Sequence, residues 1–217
     1  MKIFQVLSDS QIKAIYNAAA KTTWIDGRMT ANGAAKSKKL NLQITHDDPV
    51  FKAEILPIIR DIHISDEVST YTHITNLLSP RLARYSGGGH YDWHVDRAVM
   101  QRVRTDLSFT IFLSDKDAYE GGELEFQQGG GPVVTLKGDA GSMVVYPSGM
   151  LHRVKPVTSG ERTVIVGWLK SGVRSQQHRE QLYELLAEIS RLQKKFGSSE
   201  VEVLTKLYNQ FLRDYSD

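Results

Sequence analysis

The chain of 217 residues has no cysteine. Disulfides, thiolate metal sites and a cysteine nucleophile are therefore excluded, and any bound metal must rest on nitrogen and oxygen ligands. Long apolar runs are also missing. No stretch approaches the ~18 consecutive apolar residues of a membrane-spanning helix, and the apolar part of "MKIFQVLSDSQ" is shorter than the ~7–15-residue core of a secretion signal. A cytoplasmic protein with no membrane partner is the expectation. Charge of one sign is not in excess either: 27 basic and 25 acidic residues leave a net +2. These charges are interspersed, and without a basic stripe to follow a phosphate backbone no nucleic-acid partner is expected. No internal repeat or low-complexity linker divides the chain.

What the chain does have is a change of period along its length. "IFQVL" reads as a first strand. Ser8 and Gln11 then stand at capping-box spacing before Ile12, Ile15 and Ala19, predicting an amphipathic helix over about 8–21. Residues 25–47 read as a long loop with a short strand in "KLNLQI", of the kind that lies over a site. Asp48-Pro49 looks like an N-cap with proline in the first turn of a helix over about 49–63, kinked at Pro57. From "RLARY" at 81 to "GWLKS" at 171, short apolar runs alternate with Gly, Pro and Asp turns, which predicts an all-β middle. Beyond Ser171 the helical period returns, with Leu182, Leu185, Leu186, Ile189 and Leu192 on one stripe and Gly197 to end it. Ser199 and Glu202 have the spacing of a second capping box before a final helix through Leu204 to Leu212. The resulting helical hairpin either packs on its own chain or supplies a homodimer contact.

Chemistry is densest in "GGGHYDWHVDRAV", residues 87–99. In a strand, alternate side chains share a face, so His94 and Asp96 project together and offer an imidazole and a carboxylate to one point. Two histidines and one carboxylate with open positions form the facial triad of non-haem Fe(II) oxygenases, so a second histidine is required. Of the seven histidines, His46, His63 and His73 fall in loop, helix end or unassigned sequence, and His178 in a polar helix start. His90, with Asp92, sits too close to the glycine run to be in the strand. His152 opens a short strand after "SMVVYPSGM" and is the candidate. Ten residues on, Arg162 opens "RTVIVGWL" after a turn. Its fork of donors suits a dicarboxylate cosubstrate, the plain alternative being a surface arginine at a strand end.

Tyr85, Gly88, Tyr91, His94 and Asp96, followed by "GGELEF", "GDAGSMVVYPSGMLHRVKPV" and Arg162, resemble the Fe(II)/2-oxoglutarate dioxygenases. Within them they are most similar to the bacterial PKHD-type hydroxylases related to prolyl 4-hydroxylases, over about residues 80–172. The resemblance implies an α+β fold with a mainly β core: a double-stranded β-helix, or jelly roll, with N-terminal supporting helices. Residues 1–172 would form the dioxygenase domain and residues 173–217 the helical hairpin. It implies Fe(II) held by His94, Asp96 and His152. It further implies 2-oxoglutarate with its distal carboxylate on Arg162 and Tyr85, and no catalytic side chain beyond the metal site. O2 and 2-oxoglutarate would be consumed, succinate and CO2 released, and a C–H bond hydroxylated in an acceptor, prolyl or proline-like, in a peptide or protein. L-ascorbate often accompanies the iron in this family. The alternative is a jelly-roll protein that binds or senses iron, 2-oxoglutarate or a small ligand without turnover.

The remaining residues have plainer readings. Tyr91 and Trp93 would lie on the face opposite His94, packed against the N-terminal helices. Gly87 to Gly89 lack the Lys-Ser/Thr of a phosphate loop and serve a site-edge loop. Gly121-Gly122 reads as a turn, with Glu123 and Glu125 on one solvated face rather than as a hydrolytic carboxylate pair. Arg97, Arg102 and Arg104 read as solvated charge, and Trp168 as either core or pocket edge.

Overall fold

A computed structural model describes residues 1–30, 36–127 and 129–217. Residues 31–35, within the expected loop, lie outside it. The N-terminal part comprises β1 (Lys2–Gln5), α1 (Asp9–Ala19), β2 (Ile25–Asp26), β3 (Lys39–Leu40), β4 (Leu42–Thr45), α2 (Leu56–Ile64) and α3 (Asp66–Thr72). Strands follow: β5 (Ile74–Ser86), β6 (His90–His94), β7 (Val99–Met100), β8 (Val103–Arg104), β9 (Leu107–Phe112), β10 (Tyr119–Gly121) and β11 (Leu124–Gln127). Then come β12 (Val134–Leu136), β13 (Ser142–Pro147), β14 (Leu151–Val154), β15 (Val157–Ser171), α4 (Gln176–Phe196) and α5 (Glu202–Tyr215).

The strands form two large antiparallel sheets and a separate two-stranded hairpin of β7 and β8. The major one runs β1-β13-β9-β15-β5-β4-β2 with β10 added along β15, and the minor one runs β12-β11-β14-β6-β3. Period two gives the major sheet two faces. Leu82, Phe109, Ile111, Met143, Val145 and Ile165 bury one side against α1, α2 and α3. Ala83, Tyr85, Phe112, Val144, Tyr146 and Val164 point the other way, into a second core shared with Leu124, Phe126 and Val154 of the minor sheet. The space between the sheets is the interior of the expected jelly roll.

Local chemistry explains most element ends. Ser8 and Gln11 make the expected capping box on α1. Ahead of Pro57 the helix does not simply kink. Residues Phe51–Ile55 form a π-turn closed by the Leu56 N–H donating to the Phe51 carbonyl. Widening the turn accommodates a residue that cannot donate its own N–H. "KLNLQI" is not one strand: β3 pairs with β6 in the minor sheet and β4 with β5 in the major one, with Asn41 alone between them. Ser199 forms no cap; a 3-10 turn, Ser199–Val201, leads into α5 without a side-chain bond.

The hairpin meets the β core through α4. Leu182 and Ile189 are buried, and Tyr183 packs edge-on to Tyr71 at 5.3 Å. α5 buries none of its side chains and exposes Val203, Leu207 and Phe211. Among the described residues no helix is long and apolar enough to cross a membrane.

Candidate active site

His94 and His152 face each other across the β6–β14 pair, ring centroids 4.2 Å apart. Asp96 lies just beyond β6, where its N–H donates to the Ser148 carbonyl at 3.1 Å. Its two carboxylate oxygens reach toward the two imidazoles, 4.0 Å from His94 Nε2 and 3.7 Å from His152 Nε2. One ligand atom from each of the three residues lies within 4.8 Å of the others. Each imidazole is oriented by its own strand: Nδ1 donates to the carbonyl two residues earlier, Asp92 for His94 at 2.7 Å and Met150 for His152 at 2.8 Å. The Nε2 lone pair is thereby left facing the gap. Burial, and then the neighbouring His152, pushes the His94 imidazole down to about 4, away from the cationic form that could not ligate. On the other side Asp96 accepts from the Ser108 hydroxyl at 2.6 Å, and Ser148 stands 2.9 Å behind Ser108. The donor set fits a divalent first-row metal with further coordination positions left open.

Arg162 sits deeper, on the interior face of β15, and is only 1% exposed. Its Nε, Nη1 and Nη2 all lack hydrogen-bond partners among the described residues. The guanidinium lies 5.1 Å from the ring centre of Tyr85, itself buried, and 5.5 Å from that of Phe112. A buried charge without a partner costs several kcal/mol, so this position is built for an anion. The buried Tyr119 hydroxyl lies beside the guanidinium, close enough to feel its charge, though without hydrogen-bond geometry to it. Both side chains pack on Gly122 at φ +68, where an added Cβ would come within 3.0 Å of Arg162 Cδ and 3.1 Å of the Tyr119 ring. Gly122 is more than a turn residue: it makes room for the arginine. A pocket of about 60 Å³ joins Arg162 and Tyr85 to His94, Asp96 and His152.

Several expectations change. Tyr91 is not on the far side of β6. A bulge sets His152 against His94 but Val154 against Tyr91, so two residues of β6, Asp92 and Trp93, stand opposite Arg153 alone in β14. Parity shifts, and Tyr91 stacks on His94 at 3.5 Å and 18°. Trp93 does point outward, but it packs under Arg153 at 4.7 Å rather than against helices. Glu125 is not solvated: it is 7% exposed and holds Arg153 at 2.6 Å, while Lys155 stands 3.5 Å from Glu123. Arg104 is tied down by Asp106 and Asp217 at 2.6 and 2.7 Å. Trp168 lines the pocket, under the Arg81 guanidinium at 5.0 Å.

His90 and Asp92 do lie in β6, contrary to expectation, but neither they nor His46, His63, His73 and His178 join the cluster; His178 stacks on Tyr215 in the hairpin. Sequence reasoning missed Lys39, Arg81, Tyr119 and Gly122. Lys39 is 8% exposed beside Tyr91, and burial pushes its ammonium down to about 7. Only the strand register, with Lys39 opposite Tyr91 and Arg81 two residues before Ala83 on the interior face, could have indicated them.

Residues 80–170 match the family model of the 2OG-Fe(II) oxygenase superfamily. A PKHD-type hydroxylase of Parvibaculum lavamentivorans is 37% identical, the alignment covering 100% of this chain and 99% of the relative. One from Pseudoalteromonas atlantica is 35% identical over 99% and 97%. Among solved structures, a Pseudomonas putida prolyl-4-hydroxylase shares the fold at TM-score 0.56 and 19% identity, covering 78% of this chain and 91% of its own. A viral collagen prolyl hydroxylase from Paramecium Bursaria Chlorella virus-1, in complex with 2-oxoglutarate, does so at TM-score 0.54 and 19% identity, covering 78% and 95%. Identity along the whole length, with a His-Asp-His cluster inside the matched region, makes the chain a member of the PKHD-type hydroxylases, which are Fe(II)- and 2-oxoglutarate-dependent oxygenases.

Proposed function

We infer that His94, Asp96 and His152 hold the Fe(II) and that Arg162 and Tyr85 hold the distal carboxylate of 2-oxoglutarate, for hydroxylation of a C–H bond in a prolyl or proline-like acceptor. The observation that carries this reading is the buried, wholly unpaired Arg162 guanidinium opening onto the same small pocket as the three converging donors. Bound there, Fe(II) supplies O2 activation at the expense of 2-oxoglutarate, which leaves as succinate and CO2 while one oxygen atom enters the acceptor.

The chain's own residues prepare for this. The paired backbone carbonyls hold both imidazoles with Nε2 inward, and Ser108 keeps the Asp96 carboxylate from turning away. Arg162 fixes one end of a dicarboxylate, which determines how its other end reaches the metal. Phe112, Tyr146 and Val164 wall the interior in and keep bulk water off the reacting groups. The prolyl assignment is supported by the fold shared with prolyl hydroxylases, one of which was solved with a peptide fragment of a hypoxia-inducible factor.

The test is anaerobic titration of the metal-free protein with Fe(II) and 2-oxoglutarate, following the visible charge-transfer band of a chelated oxoacid. A band in the wild type that is lost in His152→Ala supports the assignment. A band of equal strength in His152→Ala moves the third ligand elsewhere, and no band in either removes the metal centre from these residues.

A further inference from the structure

Next to the metal centre, opening from the small inner pocket and sharing Lys39, Arg81, Tyr91, Asp96 and Trp168 with it, lies a cleft of about 310 Å³ whose walls come from both sheets. Arg81 enters from β5 and Trp168 from β15, both of the major sheet. Lys39 enters from β3 and Tyr91 from β6, both of the minor sheet. The hairpin of β7 and β8 closes the far side through Val99 and Met100. We propose that the acceptor is an acid, held in this cleft with its carboxylate between Arg81 and Lys39 and its carbon skeleton against Trp168 and Tyr91. The proposal names the acceptor class for the site assigned above and rests on that assignment.

Three observations carry it. First, neither cation has a carboxylate partner among the described residues: Arg81 Nε donates to the Ser79 carbonyl at 3.2 Å and Lys39 Nζ to the Thr30 hydroxyl at 3.3 Å. Residues 31–35, "ANGAA", contain no acid that could supply one. The only carboxylate in the wall is Asp96, which the metal centre uses. Second, the loaded centre needs neither cation for its own neutrality. The two charges of Fe(II) and the one of Arg162 are matched by Asp96 and the two carboxylates of 2-oxoglutarate. Arg81 and Lys39 are surplus, and they repel one another across the cleft. Third, the aromatic faces are positioned. The Arg81 guanidinium lies 5.0 Å from the Trp168 ring centre, and Tyr91 is stacked on His94 with Lys39 5.3 Å from its ring. An acid seated between them presents its adjacent carbons to the metal centre, and a neutral acceptor leaves both cations unpaired.

The probes are N-acetyl-L-proline and its neutral isostere N-acetyl-L-prolinamide, titrated by anaerobic calorimetry into the full chain, both metal-free and loaded with Fe(II) and 2-oxoglutarate. The expected result is acid binding at least about tenfold tighter than amide in the loaded protein, roughly the effect of one charge-assisted hydrogen-bond pair. Arg81→Gln and Lys39→Met should each erase most of that preference, with circular dichroism confirming that the variants are folded. Equal binding of acid and amide, no binding of either, or a preference untouched by both substitutions overturns the proposal. So does a greater loss of 2-oxoglutarate affinity than of acid affinity in Arg81→Gln, which would assign that arginine to the cosubstrate. Absence of the charge-transfer band in the wild type condemns the metal assignment instead, and an acid preference persisting in the metal-free protein separates the two failures.

Discussion

The two faces of the major sheet are made by the same strands and do opposite work. On the helix side, residues such as Leu82, Phe109, Ile111 and Ile165 make a closed apolar layer into which α2 sends the buried His63. On the interior side, the alternating neighbours Ser108, Thr110, Tyr146, Arg162 and Trp168 line a pocket where hydrogen-bonding groups are left unpaired. One face contributes stability and the other stores unmet valence for ligands. A strand of period two lets a single backbone do both without compromise, because substituting one face leaves the other's side chains in place.

The contrast can be broken from either side. The largest effect expected is in Asp96→Ala, which removes the only charged donor of the metal cluster. Iron-dependent 2-oxoglutarate turnover should vanish while the melting temperature holds, whereas His178→Ala, in the hairpin, keeps full turnover. Equal loss in both would mean the wrong donors have been named. On the opposite face Phe109→Ala should cost about 3–5 kcal/mol in urea unfolding, with 2-oxoglutarate affinity per folded molecule little changed. Arg162→Leu should raise the 2-oxoglutarate concentration that half-develops the charge-transfer band by about 100-fold. It should not lower the melting temperature of the ligand-free protein, since an unpaired buried charge is removed.

His63 sharpens the comparison through pH. Its Nδ1 donates to the Ile59 carbonyl at 2.7 Å and its ring meets Phe109 edge-on at 4.6 Å. Burial pushes the imidazole from 6.5 down to about 4, so the unfolded chain takes up the proton more readily than the folded one. The stability is fully present above about pH 6.5 and falls as pH drops toward 4, by about 2–3 kcal/mol at pH 4.5. Urea unfolding at pH 7 and 4.5 measures it, and His63→Leu should shrink the difference. A slope unchanged by that substitution would place the acid-sensitive group elsewhere. The smallest effect is expected in Ser108→Ala, which frees Asp96 to rotate and should weaken Fe(II) binding about tenfold with the fold intact.

How far the chain could be read beforehand follows the same division. Alternation is local, so the pairing of His94 with Asp96, the strand at His152 and the β middle are visible in short windows, and the apolar stripe of α4 likewise. What failed depended on register between strands. The bulge opposite His152 is a property of the β6–β14 pair, and no window around Tyr91 contains it. Glu125 looks solvated until Arg153 and Trp93 are laid beside it on neighbouring strands. Lys39 and Arg81, 42 residues apart in the chain, meet only because β3 and β5 belong to different sheets. The capping box at Ser199 failed for a local reason: its spacing was right, but the 3-10 turn starts the helix two residues late.

The single residue between β3 and β4 has a consequence for how this mouth can evolve. Lys39 and Gln43, on either side of Asn41, both look inward although they belong to opposite walls. Gly27 is pressed against Asn41 so closely that any side chain there would collide with its amide. Lengthening the stitch by one residue would alter parity rather than length. Either the lysine would be turned out of the cleft or the glutamine out of the wall, and slack elsewhere in the chain could not restore both. An insertion at this corner therefore displaces one wall or the other, which makes Asn41 the fixed jaw of the entrance.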